Sequence, residues 1–369
     1  MKVNTISLNS VRLNTIALNH IGEIRSGGGG SKPSPIPQWI REHIVFYYDV
    51  KKQGATNETL KESAYLQDLS GKGRRMKLNN FLFAEMSGVG GYNDNFSNWR
   101  TDSNNGVVKI ESDSSIVIQS VKIEYRGALY QDGSKKATLK CNITGITEEL
   151  KGKLVFRYTD AEGSKNITLE NGYFEFNSSE YEGLSGWYGF TSKQPIDNCN
   201  ITITQIPEYP GALVTDGVDD YGLVENLSSG VKMLFMTVNP IGNSNSFKNY
   251  YSQMRNAANQ PFCVYCTPAG IAYNYSNLNG ITYIDGVLNE SIGCTKLWGL
   301  KHTITIVNDT VNPTNSGQPA FFSREEWRKG YYSKIAFYNS IAFDSIPTEA
   351  DGFTEQELID YVLTNIIGQ

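Results

Sequence analysis

Short runs of β-branched and aromatic residues, separated by turn residues, recur along most of the chain. Between residues 105 and 206 they include GVVKI, SIVIQSVKIEY, ATLKCNIT, GKLVFRYT and CNITITQI. A second series follows residue 211, and HIVFYYDV (43–50) precedes both. Runs spaced by roughly eight to twelve residues, with no helical period among them, are typical of β-sandwiches. The pattern therefore predicts an all-β protein.

One segment near the C-terminus has the period of a helix instead. Thr354 and Glu357 have the spacing of a capping box. Leu358, Val362 and Ile366 then recur on one face of a helix. We expect a single short terminal helix there, packed onto a sheet.

The N-terminal segment ISLNSVRLNTIALN (6–19) repeats Ile or Val, any residue, Leu and Asn at an interval of five. Period five fits neither a strand nor a helix, whereas turns at each Asn would give a narrow β-solenoid, as in the similar pentapeptide repeats. Three copies are too few to form a core alone, so the segment should become ordered against other chains. The repeat residues of this predicted attachment arm are Ile6, Leu8, Asn9, Val11, Leu13, Asn14, Ile16, Leu18 and Asn19.

A tract of four glycines followed by three prolines (27–37) separates the arm from the rest and is predicted to be a linker. A secretory signal is the competing interpretation of the N-terminus. Asn4, Asn9, Arg12 and Asn14 interrupt every apolar run before the hydrophobic region of a signal could form. We therefore favour the arm.

The composition of the chain narrows the classes of partner that we expect it to bind. With 33 basic and 38 acidic side chains, the chain is not expected to bind nucleic acid. The sequence has no apolar run of the length that would span a membrane, and we expect no membrane insertion. Aromatic residues make up 12% and charged residues only 19%, which favours uncharged ligands.

Three segments resemble concanavalin A-like, laminin-G-like jelly rolls, and they occur in the family's order. They are DLSGKGRRMKLNNF (68–81), GALVTDGVDDYGLV (211–224) and the C-terminal SKIAFYNSIAFDSIPTEADGFTEQELIDYV (333–362). Thr215 departs from the family pattern, which usually has Phe before the Asp at that place. The resemblance implies a jelly-roll body.

The spacing of the first two matches indicates an insertion. In this family they lie within a few tens of residues, whereas here Phe81 and Gly211 are 130 residues apart, with a strand-rich run between them. We expect a laminin-G-like jelly roll interrupted by a smaller inserted β-sandwich, because insertion between neighbouring surface positions is well tolerated. The predicted divisions are an arm (1–25), a linker (26–38), the first part of the jelly roll (39–100), the insertion (101–207) and the second part with the helix (208–369).

The whole arrangement resembles structural proteins of tailed phages of Bacteroidetes. That resemblance implies a non-enzymatic head fibre or capsid decoration protein on the exterior of the virion. Its arm would bind capsid or other virion proteins, and its body would touch a cell-surface or mucin glycan. The incomplete repeat implies a homo-oligomer, with a trimer as the candidate stoichiometry. The alternatives are a tail fibre or appendage protein, and a secreted or surface bacterial carbohydrate-binding protein.

Candidate chemistry is sparse. A retaining glycosidase needs two carboxylates about 5.5 Å apart on one face of a strand. Asp160 with Glu162, and Glu180 with Glu182, have a suitable spacing but lie in segments rich in Gly and Ser. We therefore expect solvated loop carboxylates and no catalytic residues.

We also expect no cofactor and no metal. Asp68 and the group Asp216, Asp219 and Asp220 could supply oxygen ligands to calcium, but Asx turns are the favoured interpretation. The spacing of Cys263 and Cys266 is that of a zinc site, which Cys294 and His302 could complete. The simpler interpretation, which we favour, is that these cysteines are free thiols packed in the protein.

Sugars stack on aromatic rings and bond to Asn, Asp and backbone groups. The aromatic residues in or near loops rich in such partners are the candidate glycan-binding residues, and they are Trp187, Tyr188, Trp298, Trp327 and Tyr332.

Overall fold

A computed structural model of the chain describes residues 34–122, 128–135, 138–227, 230–241, 248–253, 262–267, 271–274, 281–289, 295–296, 298–308, 319–323 and 332–368. The described residues form two compact units. The discontinuous unit contains those within Met1–Phe83, Ser87–Val89 and Gly211–Gln369, and the inserted unit contains those within Ala84–Met86 and Gly90–Pro210. The predicted limits of the insertion, 101–207, lie inside Gly90–Pro210.

Strands are numbered in chain order over the described residues. The first four are β1 (Ile44–Asp49), β2 (Tyr65–Leu66), β3 (Met76–Asn79) and β4 (Gly88–Val89). The inserted unit contributes β5 (Arg100–Thr101), β6 (Gly106–Ser112), β7 (Ser115–Val121), β8 (Leu129–Asp132), β9 (Thr138–Thr144), β10 (Leu154–Asp160), β11 (Gly163–Thr168), β12 (Gly172–Asn177), β13 (Trp187–Ser192) and β14 (Ile201–Gln205). The remainder are β15 (Leu213–Val214), β16 (Tyr221–Val224), β17 (Met233–Pro240), β18 (Lys248–Gln253), β19 (Phe262–Thr267), β20 (Ile271–Asn274), β21 (Ile281–Ile284), β22 (Val287–Leu288), β23 (Thr295–Lys296), β24 (His302–Val307), β25 (Ala320–Phe321) and β26 (Ile335–Phe343).

The strands of the discontinuous unit form two antiparallel sheets of eight strands. Sheet A has the order β22, β21, β24, β17, β26, β15, β4, and β1 also pairs with β26. Sheet B has the order β2, β3, β16, β25, β18, β19, β20, β23. The prediction of an all-β fold is confirmed.

One core of the discontinuous unit contains side chains from both sheets. Phe46 from sheet A and Phe321 from sheet B have ring centroids 5.8 Å apart, and Phe337 lies 5.6 Å from Phe321. All six residues of β1 are buried, because successive side chains of a strand point to opposite faces and both faces are covered. Burial of both faces explains why HIVFYYDV (43–50), which contains β1, is a dense run of aromatic and β-branched residues.

The helices are α1 (Ile36–His43), α2 (Asn57–Ser63) and α3 (Glu355–Tyr361), the last continued by a π-helical turn over Val362–Ile367. Helices α1 and α3 cover the other face of sheet A, whereas Leu60 of α2 belongs to the core that contains side chains from both sheets. A second core joins Trp39 and Ile40 of α1 and Leu358 of α3 to sheet A side chains such as Phe343. Single 3₁₀ turns lie at Phe96–Asn98, Glu148–Leu150, Ser178–Glu180 and Glu349–Asp351.

The C-terminal helix begins as the sequence predicted. Thr354 accepts a hydrogen bond from the backbone of Glu357, and the Glu357 carboxylate accepts one from the backbone of Thr354, so the capping box is formed. Helix α1, in contrast, starts at Ile36 within the predicted linker (26–38). Proline is tolerated in the first turn of a helix, so the proline-rich tract does not exclude one.

The inserted unit is built from two antiparallel sheets of five strands. Sheet C has the order β11, β10, β13, β8, β5, and sheet D has the order β12, β9, β14, β7, β6. Phe156 and Phe190 from sheet C and Ile116 and Ile203 from sheet D belong to one buried core, as in a β-sandwich. Among the helices that the structure describes, none combines the length and the apolar composition of a membrane span.

Candidate functional site

The loop after β2 carries the first candidate cation ligand, Asp68. This side chain is buried, and its carboxylate accepts backbone N–H bonds from Tyr47 at 3.0 Å, Ser70 at 2.9 Å and Arg74 at 3.0 Å. Gly71 has a φ of 79°, which lets the loop turn back on itself. Amide donors thus occupy the carboxylate oxygens and tie the loop to β1, as an Asx turn does.

The second candidate is the turn between β15 and β16. Asp216 accepts from the backbone of Val218 at 2.7 Å, which again forms an Asx turn. Asp220 accepts from the Asp216 backbone at 2.8 Å and from the Ser87 hydroxyl at 3.0 Å. The Asp220 side chain therefore links this turn to the segment that precedes β4.

Asp220 lies in an unusual electrostatic setting. It is fully buried, and burial is the largest of the causes that raise its pKa from 3.8 to about 7. The negative charges of Asp216 and Asp219 also contribute to this rise, while the hydrogen bonds from the Asp216 backbone and Ser87 oppose it. The pKa of this carboxyl group therefore lies well above that of an ordinary aspartate.

Asp216, Asp219 and Asp220 bring one carboxylate oxygen each within 4.8 Å of the others, and they form the one such acidic group in the described part of the chain. Calcium takes about six to eight oxygen ligands. Three carboxylates, two of them engaged by backbone amides, supply only part of such a set. The turn between β15 and β16 therefore accounts for the close approach of the three carboxylates.

Two predicted glycan-binding residues are buried in the inserted unit, Tyr188 in its core and Trp187 on the outer face of sheet C. Tyr188 has no exposed surface, and its ring packs 5.3 Å from Phe176 and 5.7 Å from Trp99. Trp187 is only 6% exposed and lies beside the guanidinium of Arg157, 5.9 Å from the ring centroid. Neither ring offers an open face on which a sugar could stack, so their assignment as binding platforms is corrected.

The other three predicted aromatic residues belong to the sequence ranges of the discontinuous unit. Tyr332 is buried, with its ring 6.3 Å from that of Tyr221, and is likewise corrected to a packed residue. Trp298 is half-buried against the sheet-to-sheet core. Trp327 lies outside the described residues, as do all residues of the predicted arm (1–25).

Of the four candidate catalytic carboxylates, Asp160 is the last residue of β10, and Glu162, Glu180 and Glu182 lie in turns. Asp160 accepts from the backbone of Glu162 at 2.9 Å, and Glu162 is exposed and pairs with Lys165. Glu180 is exposed and accepts from the Asn177 side chain at 3.1 Å. Neither pair has the side-by-side arrangement on a strand that retaining hydrolysis needs.

The cysteines of the described chain divide between the units. Cys141 is a free thiol in the core of the inserted unit, where burial raises its pKa, and Cys199 is a half-buried free thiol. Cys263 and Cys266 lie on β19, whereas Cys294 lies outside the described residues.

Sequence reasoning missed an exposed aromatic residue on the outer face of sheet D. Tyr173 on β12 is 62% exposed, while the next residue along the strand, Phe174, is buried. Its hydroxyl donates to the Glu175 carboxylate two residues along, on the same face of the sheet. The alternation in GYFEFN carried this signal, because it places Tyr173 and Glu175 opposite the two phenylalanines.

Tyr173 begins a row of polar side chains that crosses four strands. It pairs with Asn142 on β9, Asn142 pairs with Thr204 on β14, and Thr204 pairs with Ser115 on β7. The hydroxyls of Thr204 and Ser115 lie 3.1 Å apart. Strands are spaced by about 4.8 Å, so the row extends for about 14 Å. We call Tyr173, Asn142, Thr204 and Ser115 the polar row.

Comparison with known proteins gives weak similarities only. No family model and no curated protein match the chain. Among solved structures, a mutant of Trypanosoma rangeli sialidase displaying trans-sialidase activity is 11% identical, with a TM-score of 0.28 over 41% of this chain and 28% of that chain. Trypanosoma rangeli sialidase in complex with a difluoro-nononic acid is 8% identical, with a TM-score of 0.29 over 70% and 62% of the two chains. The same sialidase in complex with 2,3-difluorosialic acid is 9% identical, with a TM-score of 0.30 over 82% and 68%.

These neighbours correct one expectation. All three structures are of sialidases, which are enzymes, and this contradicts the prediction that the chain is not an enzyme. That prediction is withdrawn. The chain spans less than two thirds of the length of the first two neighbours. At TM-scores near 0.3 the similarity assigns neither a fold nor an activity to this chain.

Proposed function

We propose that the protein is a structural protein of a phage particle, a head fibre or capsid decoration protein, that is attached through residues 1–25 and displays its β-rich body outward. The observation that carries this proposal is where the chain enters the body. Ser34 and Pro35 are exposed, and α1 follows them directly. A segment that joins the body at its surface can bind a partner without disturbing either β-sheet unit.

The start of the body is well anchored, which supports the same proposal. Trp39 and Ile40 of α1 are buried, and the Trp39 ring packs 5.4 Å from Phe343 and 5.9 Å from Phe353. A pull on the N-terminal segment therefore acts on a helix packed against sheet A. That arrangement suits a tether.

Removal of residues 1–25 tests the attachment. We expect the shortened chain to fold, with an unchanged circular dichroism spectrum, and to be missing from purified particles when it replaces the full chain. A sharper pair of variants changes Leu8, Leu13 and Leu18 to Ala in one chain, and Ser10 and Thr15 to Ala in the control. Loss of incorporation only in the leucine variant supports the proposal, and normal incorporation of that variant contradicts it.

A second candidate is a secreted or surface bacterial carbohydrate-binding protein. The observation that favours it is the exposed polar row of the inserted unit, which needs no particle in order to bind a ligand. The genes beside this one separate the two proposals. Capsid, portal and tail genes support the particle protein, whereas genes for polysaccharide utilisation support the carbohydrate-binding protein.

A further inference from the structure

Tyr173 has the features of a stacking platform. Among the described residues, it is the one aromatic side chain that has more than half of its surface exposed. Its hydroxyl is held by Glu175, so the ring loses little rotational freedom when a ligand stacks on it. An aromatic ring kept exposed and oriented on a sheet face contributes nothing to a core, which suggests that it contacts another molecule.

The rest of the polar row supplies complementary hydrogen-bonding groups. Asn142 and Thr204 are exposed, and each offers both donors and acceptors. Ser115 extends the row to the fourth strand. Because these groups lie on strands and not on loops, their spacing is fixed by the ladder of backbone hydrogen bonds.

The charges around the row are balanced within the protein. Lys140, directly opposite Glu175 in the sheet, pairs with Glu208 at 2.6 Å. Lys109 on β6 pairs with Glu111 at 2.7 Å. A phosphate-rich or strongly acidic ligand would find no unpaired cluster of basic groups along this row, whereas an uncharged polyhydroxylated ligand needs none.

We propose that the outer face of sheet D binds a neutral oligosaccharide, with the apolar face of one sugar stacked on Tyr173 and the hydroxyls of the following sugars bonded to Asn142, Thr204 and Ser115. The length of the row, about 14 Å from the strand spacing, matches a chain of several sugars and exceeds a single ring. This proposal rests on the second candidate function, that of a carbohydrate-binding protein. It gives that function a place in the inserted unit, separate from the attachment arm.

The test is binding of the full chain to an array of neutral oligosaccharides composed of galactose, fucose and N-acetylhexosamines, followed by titration of the best soluble hit. Tyr173→Ala should weaken binding by about tenfold, which corresponds to about 1.4 kcal/mol, because it removes the ring on which the sugar stacks. Tyr173→Phe keeps the ring and should stay within a few-fold of the unmodified chain. Val107→Ser is the matched control, because it removes another exposed apolar side chain from the same sheet.

The outcomes separate this proposal from the one on which it rests. If the unmodified chain binds an oligosaccharide, and Tyr173→Ala and Asn142→Ala weaken binding while Val107→Ser does not, the site is supported. If the chain binds but the alanine variants bind equally well, the site assignment is overturned while glycan contact stands. If the unmodified chain binds no member of the array, both are overturned, and the attachment experiment still decides the structural role.

Discussion

Asp220 makes the stability of the discontinuous unit depend on pH in a direction opposite to that of an ordinary paired carboxylate. Its side chain is fully buried, with its pKa raised to about 7 by burial and by the nearby Asp216 and Asp219 charges. The folded state therefore binds a proton more tightly than the unfolded state does. The free energy of unfolding is highest below pH 4 as far as this group is concerned, and it falls as the pH rises towards 7.

The size of this effect follows from the two pKa values. A group with a pKa of 3.8 when unfolded and about 7 when folded lowers the free energy of unfolding by at most about 4 kcal/mol once the pH exceeds 7. Asp220→Asn removes the charge and keeps an acceptor for the Asp216 N–H, and its amide can donate to Ser87. We therefore expect this variant to match the unmodified chain near pH 4 and to be more stable at pH 8, by an amount on the order of 1–4 kcal/mol.

Urea unfolding at pH 4, 6 and 8, in the presence of EDTA, measures this difference. Hydrogen exchange of peptides from β17 and β26 reports on the discontinuous unit alone, because both strands lie at the centre of sheet A. Asp219→Asn serves as the matched control: it removes an exposed charge from the same turn and should change stability by less than about 1 kcal/mol. A stability gain of Asp220→Asn that does not grow between pH 4 and pH 8 would refute the reasoning.

Three further predictions concern the turns and the helix cap. Excess calcium should leave the thermal unfolding temperature at pH 8 unchanged if the Asp216–Asp220 turn is only an Asx turn; a rise that Asp220→Asn abolishes would show a cation site. Asp68→Ala should destabilise the discontinuous unit by about 1–3 kcal/mol in urea unfolding, because it leaves buried amides without an acceptor; an unchanged midpoint would contradict the role given to Asp68. Thr354→Ala should cost about 1 kcal/mol through loss of the capping box, with Thr364→Ala in the same region as the control.

The parts of the fold that sequence predicted are those with a local physical signal. Alternating β-branched residues identified the strands of the inserted unit, and Thr354 with Glu357 identified the start of α3. Helix α1 was missed because its buried residues, Ile36, Trp39 and Ile40, cover little more than one turn and follow a proline-rich tract. Their spacing of three and one is nevertheless the signal that a search for short amphipathic helices would use.

The candidate site was less predictable, since exposure depends on what covers a strand. Trp187 faces away from the core of its sheet, yet Arg157 and Tyr130 lie over it, the latter with its ring 6.4 Å away. Tyr173 also faces outward, on an edge strand of the other sheet, and stays exposed. Alternation places both side chains on outer faces, and only the cross-strand neighbours decide which of them is covered.

The insertion itself has a physical explanation that the sequence could only suggest. The chain leaves the discontinuous unit after β4 and returns at β15, and these two strands are paired, with Leu213 opposite Val89 and Val214 opposite Gly88. The ends of the inserted unit are joined in the same way, since the Tyr209 backbone donates to Gly90 at 2.9 Å. For the discontinuous unit, the whole insertion therefore occupies the place of a hairpin loop, and loop length adds only slowly to the entropy of closing it. The 130 residues between Phe81 and Gly211 are consequently compatible with an intact ladder between β4 and β15, and each unit has a core of its own.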